Sequence, residues 1–285
     1  MSDILRAALW MSGAIISFTL MAVAGRAVSF ELDTFEIMTF RSLTGMIIVI
    51  VLGGLTGTLR DVNRQRLGLH TVRNLAHFTG QNLWFYALAV IPLAQVFALE
   101  FTTPIWVILL SPFLLGERIN RIGAFAAALG FVGVMIVTQP GVTPISVGII
   151  AAATAAIGFA LTAIFTRKLT QTDSITCILF WLTIMQFCFG LITAGYDGDI
   201  ALPSSGSIPW LILIGCAGLL AHFCLTTALS LAPTSIVMPI DFIRLPVIAV
   251  VAAYLYSEPL DIWVFVGAVC IFGANYVNIR FGTKP

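Results

Sequence analysis

The side chains in this sequence that could do chemistry are the few charged and polar groups interrupting long apolar runs. Glu100 and Asp241 each stand well inside such a run. A carboxylate near the middle of a bilayer costs about 2.5 to 3.5 kcal/mol on insertion scales, so neither is expected to face lipid. Such a group can attract a solute's ammonium or carry a coupling proton; the structural alternative is an ion pair or hydrogen bond to a neighbouring helix. Arg244 follows Asp241 at the i, i+3 spacing that lets two side chains meet on one helix face. The pair either neutralises itself, or opens on binding so that Arg244 holds a solute carboxylate while an acid holds its amine. Arg41 is expected to pair with Glu36 or Glu100, to snorkel outward, or to bind an anion.

His77, Gln81 and Trp84 recur at i, i+4 and i+7, with Asn82 and Tyr86 nearby. They make one polar and aromatic helix face, costly toward lipid and useful toward a wet cavity. His222 offers a similar group from a later run, and each histidine is either hydrogen-bonded structure or a direct participant. Trp10, Phe18, Phe85, Trp106, Phe159 and Trp181 are packing residues or walls that stack on an apolar solute or grip an ammonium. Pro92, Pro104, Pro233, Pro239 and Pro246 remove backbone hydrogen bonds and permit bends, which makes Pro104, Pro239 and Pro246 candidates for a gate or hinge.

Metal and catalytic patterns are missing. The five cysteines, Cys177, Cys188, Cys216, Cys224 and Cys270, lie in apolar runs without CxxC or Cys/His ligand spacing and read as packing residues. There is no HExxH, no acidic metal motif and no Ser/His/Asp spacing, so neither a metal nor another cofactor is expected. A membrane-embedded enzyme would need such a constellation; the other rival is a receptor that binds without transporting.

The elements that must position these groups follow from composition. Of 285 residues 59% are hydrophobic and 9% charged, and the mean hydropathy is +1.04. A soluble chain carries about a quarter charged residues, so lipid is the expected main solvent. The formal net charge of +1 gives no sign of a nucleic-acid partner. Apolar runs of spanning length fall near 4–26, 34–55, 71–91, 93–115 and 119–138, then near 145–167, 174–195, 208–231, 234–257 and 260–279. The expectation is an all-α membrane protein of ten helices. The first run, with Arg6 ahead of it and Ala22-Val23-Ala24 at its end, loosely imitates a cleaved secretory signal; its length argues against cleavage.

With a cytoplasmic N-terminus, Arg6, the Arg60 to Arg73 group, Arg118, Arg121, Arg167, Lys168, Arg280 and Lys284 fall inside, and Arg26 alone falls outside. The outer loops hold acids instead: Glu31, Asp33, Glu36, Asp197, Asp199, Glu258 and Asp261. The positive-inside rule therefore predicts both termini in the cytoplasm, in a cytoplasmic membrane of bacterial type.

An offset of 141 residues superimposes scarce residue types: Pro92 on Pro233, Glu100 on Asp241, Glu117 on Glu258, Arg26 on Arg167, and Gln81 on His222. A repeat of five helices must invert in the membrane, which predicts two inverted halves, 1–141 and 142–285. The equivalent positions of Glu100 and Asp241 would bring both acids toward a central cavity.

The chain here resembles the drug/metabolite transporter superfamily, and within it the ten-helix EamA type. The residues that carry the likeness are Phe40-Arg41-Ser42, Trp84-Phe85-Tyr86-Ala87-Leu88, Pro104 followed by Leu114-Leu115-Gly116-Glu117-Arg118, and the Gly-spaced stretch from Gly123 to Gly133. Pro246, Glu258-Pro259 and Gly267 to Gly273 echo them in the second half, one residue shorter between proline and glutamate and with Ser257 in place of the glycine. The resemblance implies a cavity lined mainly by helices 1, 3, 4, 6, 8 and 9, which raises Trp84 and Phe159 as lining residues. It also implies transport by alternating access. The acids, Arg244 and the aromatics favour a zwitterionic or cationic small-molecule substrate such as an amino acid or related metabolite, moved by an exporter or a permease. Apart from that solute and the lipid bilayer no partner is implied, and monomer and homodimer both stand open.

Overall fold

The computed structural model describes residues 3–114, 116, 121–139, 144–196, 198–231, 240–241 and 243–282. Among these residues there is no strand, as expected where lipid offers the backbone no hydrogen bonds and each segment must satisfy its own. The helices are α1 (Asp3–Val28), α2 (Thr34–Leu55), α3 (Leu67–Val90), α4 (Leu93–Glu100), α5 (Thr103–Leu114), α6 (Arg121–Thr138), α7 (Val147–Leu169), α8 (Ile175–Ala194), α9 (Ile208–Leu231), α10 (Arg244–Tyr256) and α11 (Ile262–Val277). Their starts are written in the sequence. Asp33 and Glu36 form a reciprocal capping box on α2, and Ser146, Ser174 and Asp261 accept backbone N–H groups at the starts of α7, α8 and α11.

Among the described residues seven segments are long and apolar enough to cross a bilayer: Leu5–Val28 of α1, α2, the stretch Leu93–Leu110, α6, Val147–Thr166 of α7, α8 and Ile208–Leu225 of α9. α10 and α11 are shorter apolar helices. α3 is 24 residues long but carries a polar stripe, and that stripe is buried: His70, Arg73, Asn74, His77, Gln81 and Asn82 all point inward. The exposed surface shows the complementary pattern, with Ile16, Leu52, Ile150, Ile192, Val250 and Val269 turned outward. Polar groups inside and large aliphatics outside is the arrangement that a lipid solvent favours.

The expected single span over 93–115 is broken at Phe101–Thr102, and Pro104 supplies the reason. It has no N–H for the carbonyl of Glu100, which instead accepts from the Thr103 hydroxyl at 2.7 Å. The Thr102 hydroxyl donates to Leu99 O at 2.7 Å, and the Phe101 carbonyl accepts from Asn275 Nδ2 of α11 at 3.1 Å. Each carbonyl released by the break has thus found a side-chain donor. Pro246 sits in the first turn of α10, where its missing N–H is not needed, so both prolines begin helices rather than kink them. Pro239 lies outside the described residues.

The most extensive helix contacts pair α1 with α9, α3 with α7, α2 with α8 and α6 with α11, while α4 sits centrally against α7, α10, α6 and α11. Close approach within these pairs uses glycine. A Cβ on Gly133 would lie 2.7 Å from Gly267 O, and one on Gly267 would lie 2.6 Å from Gly133 O, so α6 and α11 touch backbone to backbone. A Cβ on Gly158 of α7 would meet Gly80 Cα of α3 at 2.9 Å. Gly273, which shares the sequence signature, is different: its nearest neighbour would be Leu129 Cδ2 at 4.0 Å. Gly133→Ala should therefore destabilise the fold by about 1–3 kcal/mol through overpacking, whereas Gly273→Ala should leave the melting temperature nearly unchanged. Equal shifts in thermal unfolding of the two purified variants would contradict this packing account.

Candidate functional site

Because α4 stops at Glu100, its carboxylate projects from a helix end into the centre of the molecule. Trp84 Nε1 of α3 donates to Glu100 Oε2 at 2.8 Å. Arg244 Nη2, at the first residue of α10, donates to Glu100 Oε1 and to Asp241 Oδ2, each at 3.1 Å. The guanidinium carbon also stands 4.7, 4.9 and 5.0 Å from the rings of Phe18, Phe97 and Phe101. One cation is held by two acids and three aromatic faces, in a place where water cannot screen them. Asp241 Oδ1 and Arg244 Nε have no hydrogen-bond partner among the described residues, so the cluster keeps one acceptor and one donor in reserve. The i, i+3 pairing of Asp241 with Arg244 is present; the link to Glu100 joins it to the other end of the sequence.

A second cluster adjoins the first. The rings of His77 and His222 are 6.3 Å apart, Phe159 stands 6.2 Å from His77, and Phe18 meets His222 edge-on at 5.6 Å. Phe18 therefore touches both clusters. The histidines border a cavity of about 30 Å³ together with Arg41, Ser42, Thr183 and Gln186. Gln81 is buried with Oε1 unpartnered and makes no hydrogen bond or ring contact with either cluster among the described residues. Neither acid offered to Arg41 takes it. Glu36 is occupied by the N–H groups of Asp33 and Ala201, at 2.9 and 2.6 Å, and Glu100 by Trp84 and Arg244. Capping geometry decided the first and the aromatic cluster the second. Arg41 instead approaches Met38 Sδ at 3.6 Å and the Phe85 ring at 5.8 Å.

At one end of the helix bundle Arg26, near the end of α1, pairs with Glu258 and donates to the carbonyls of Leu88 and Ile91. The other oxygen of Glu258 accepts the N–H of Leu93, the first residue of α4, at 2.8 Å. Tyr256 completes this knot, its ring under the Arg26 guanidinium and its hydroxyl donating to Val23 O at 3.0 Å. α1, α3, α4 and the turn after α10 are thereby tied together. Beside them Glu31 accepts from Ser207 and Ser204, which hold its carboxyl below the usual carboxylate range.

The opposite end, where α3 begins, is closed by different chemistry. His70 Nε2 lies 3.1 Å from Asp173 Oδ2, and Asn63 Nδ2 donates to Asp173 Oδ1 at 3.3 Å. Trp181 Nε1 donates to Asn63 O at 2.8 Å, Arg73 Nε to Thr166 Oγ1 at 3.0 Å, and Gln186 Nε2 to Asn74 O at 2.8 Å. Cys177 brings a third ligating atom within 4.8 Å of those of His70 and Asp173, but both carboxylate oxygens are already engaged.

Both ends are fastened, and the cavity beside the histidines, about 30 Å³, has room for a water or two. The sequence marks Arg26 as the exception to the charge rule and the repeat partner of Arg167, and Glu258 as a loop acid, the repeat partner of Glu117 and part of the Glu258-Pro259 likeness, but it does not join the two. Nothing in the sequence marks Asn275 or the His70–Asp173 bridge, because each joins segments more than a hundred residues apart.

Residues 5–139 and 146–280 each match the model of the EamA-like transporter family. An S-adenosylmethionine uptake transporter of Rickettsia felis is 26% identical over 266 residues, covering 93% of this chain and 90% of its own. A riboflavin transporter of Vibrio cholerae is 27% identical over 247 residues, covering 85% and 82%. A crystal structure that shares 16% of residues superimposes over 98% of this chain and 99% of its own with a TM-score of 0.67, a likeness of fold alone.

Proposed function

The chain belongs to the EamA-like transporter family, and from that premise we propose that it carries a zwitterionic or cationic metabolite, an amino acid or a relative of one, through the cytoplasmic membrane by alternating access. The observation that carries this reading is the Glu100–Arg244–Asp241 cluster, where two acids share one guanidinium and Asp241 Oδ1 is left to accept from an incoming ammonium. S-adenosylmethionine, named for the Rickettsia relative, is an amino acid that also bears a sulfonium cation, and so falls in this class. Riboflavin is a flat solute without fixed charge; the rings of Phe18, Phe97 and Phe101 would suit it, the buried acids would not. The relatives named for uptake favour inward movement.

Two inverted halves, 1–141 and 142–285, are part of the proposal. Supporting it, the family model matches twice, and the 141-residue offset exchanges the α1–α9 pair for the α7–α3 pair. By the positive-inside rule the Arg26–Glu258 knot then faces outward and the His70–Asp173 bridge faces the cytoplasm.

Flux of radiolabelled S-adenosylmethionine and amino acids into proteoliposomes tests the reading with Glu100→Gln and Asp241→Asn. At least one substitution should lower flux tenfold or more. If an acid carries the coupling proton, its loss should also remove the response to an imposed proton gradient. Unchanged transport in both variants would sink the role assigned to the cluster.

A further inference from the structure

We infer that Arg41 is a subsite for the carboxylate of the transported solute, separate from the Glu100–Arg244–Asp241 cluster. Arg41 lies two turns into α2, partly buried, with no carboxylate partner among the described residues. Its contacts among the described residues are a sulfur and an aromatic face, neither of which neutralises a charge. In a membrane interior an ionised side chain normally finds a counter-charge or faces a wet cavity. Arg41 does the second, and the cavity it borders contains no acid: its polar wall is Ser42, His77, Thr183, Gln186 and His222.

Space around the guanidinium is kept by glycine. A Cβ on Gly218 of α9 would stand 3.1 Å from Arg41 Nη2, and one on Gly215 would meet Thr44 Cβ at 2.7 Å and Arg41 O at 3.0 Å. A larger residue at 218 would crowd the guanidinium itself, and one at 215 would press α9 against Thr44 and the α2 backbone that carries Arg41. His77, which lines the same cavity, keeps Nδ1 buried and without a hydrogen-bond partner among the described residues. A guanidinium presents paired N–H donors that match the two oxygens of a carboxylate. With a single cation and a cavity of about 30 Å³, a three-atom monoanionic carboxylate is a better match than a phosphate. Phe18 joins the cluster to the cavity that Arg41 borders, its ring centroid 4.7 Å from the Arg244 guanidinium carbon and 5.6 Å from the ring of His222, a lining residue of that cavity. A zwitterion would then be read at both ends, cation toward Asp241 and carboxylate toward Arg41, against an aromatic floor.

That the anion belongs to a transported solute rests on the transport reading; that Arg41 binds a carboxylate does not. The test therefore uses purified full-length protein in nanodiscs, with sodium acetate, sodium phosphate and sodium chloride at equal ionic strength. Acetate well above its dissociation constant should raise the melting temperature by about 3 °C or more. Arg41→Gln should abolish that shift, Arg41→Lys should keep part of it, and Gly218→Ala, which crowds the guanidinium without removing its charge, should weaken it. No acetate shift in the wild type, the same shift in Arg41→Gln, or a larger shift with phosphate would each overturn the carboxylate assignment. A chain that fails to transport but shows the Arg41-dependent shift overturns the transport reading and keeps the subsite; a transporting chain without it does the reverse.

Discussion

Arg244→Gln is expected to abolish flux and to lower the melting temperature more than any other single substitution in the central cluster. The guanidinium is the shared partner of Glu100 and Asp241, 3.1 Å from each, and is itself 4% exposed. Removing it leaves two buried carboxylates facing each other without a cation, and breaking a buried pair in this way costs about 3–5 kcal/mol. At about 2–4 °C per kcal/mol for a chain of this order, the melting temperature should fall by roughly 6–20 °C. The triple variant Glu100→Gln, Asp241→Asn, Arg244→Met removes all three charges together and should recover most of that loss, because an ion cluster replaced whole by neutral groups is close to neutral for stability. Transport should stay absent in the triple variant, since nothing remains to meet a charged solute. Flux in proteoliposomes and thermal unfolding of the same preparations separate the two effects. A triple variant that transports would leave the cluster only a packing role.

The second large effect is expected at Glu258. Its two oxygens hold Arg26 and the N–H of Leu93, so Glu258→Gln keeps a hydrogen-bonding group there but removes the charge that secures Arg26. Both side chains are nearly buried, 10% and 13% exposed, so solvent screens the pair little. Opening at this end should become easier by about 10- to 100-fold, the range that a few kcal/mol commands in a two-state equilibrium. The readout is a single cysteine at Val96, one turn into α4 and fully buried, in a background lacking the five native cysteines. An impermeant maleimide added outside should label it 10 to 100 times faster in Glu258→Gln. Arg26→Gln should do the same, and combining the two should add little, because both remove one interaction. Retaining native Cys177 alone, at the opposite end, supplies the control with the same maleimide applied from the cytoplasmic side: its labelling should not change if the effect is local. Equal acceleration at Cys177 would mean general loosening instead of an opened gate.

How much of this was legible beforehand depended on distance along the chain. The polar stripe of α3 was readable because helical spacing alone puts His77, Gln81 and Trp84 on one side, and lipid forces that side inward. The Asp241–Arg244 contact was readable for the same local reason. Glu100 was brought toward Asp241 by the 141-residue offset alone; its bond to Arg244 was not readable, because it forms through the packing of α4 against α10. Arg41 was recognised as a charge in need of an explanation, but the partners offered to it were already committed, Glu36 to helix capping and Glu100 to Trp84 and Arg244. Pro104 announced a disturbance in its span without saying that the helix would stop; that required Asn275 and two threonine hydroxyls to receive the freed carbonyls. Glycine-rich stretches identified the α6–α11 seam, yet only the packing distinguishes Gly133 and Gly267, which touch, from Gly273, which does not.

The buried charges also have an electrical consequence. At the centre, counted in ionised form, Arg244 with Glu100 and Asp241 leaves one negative charge, and Arg41 beside the cavity supplies one positive charge that balances it. Moving one elementary charge through the membrane is worth about 2.3 kcal/mol per 100 mV. On the proposed alternating-access reading, a central charge set that sums to zero and moves as one contributes no such work, and a zwitterion adds none either. Empty and zwitterion-loaded forms would then reorient as electrically silent bodies, and the membrane voltage would act only on a solute, such as a sulfonium-bearing amino acid, that brings a net charge of its own.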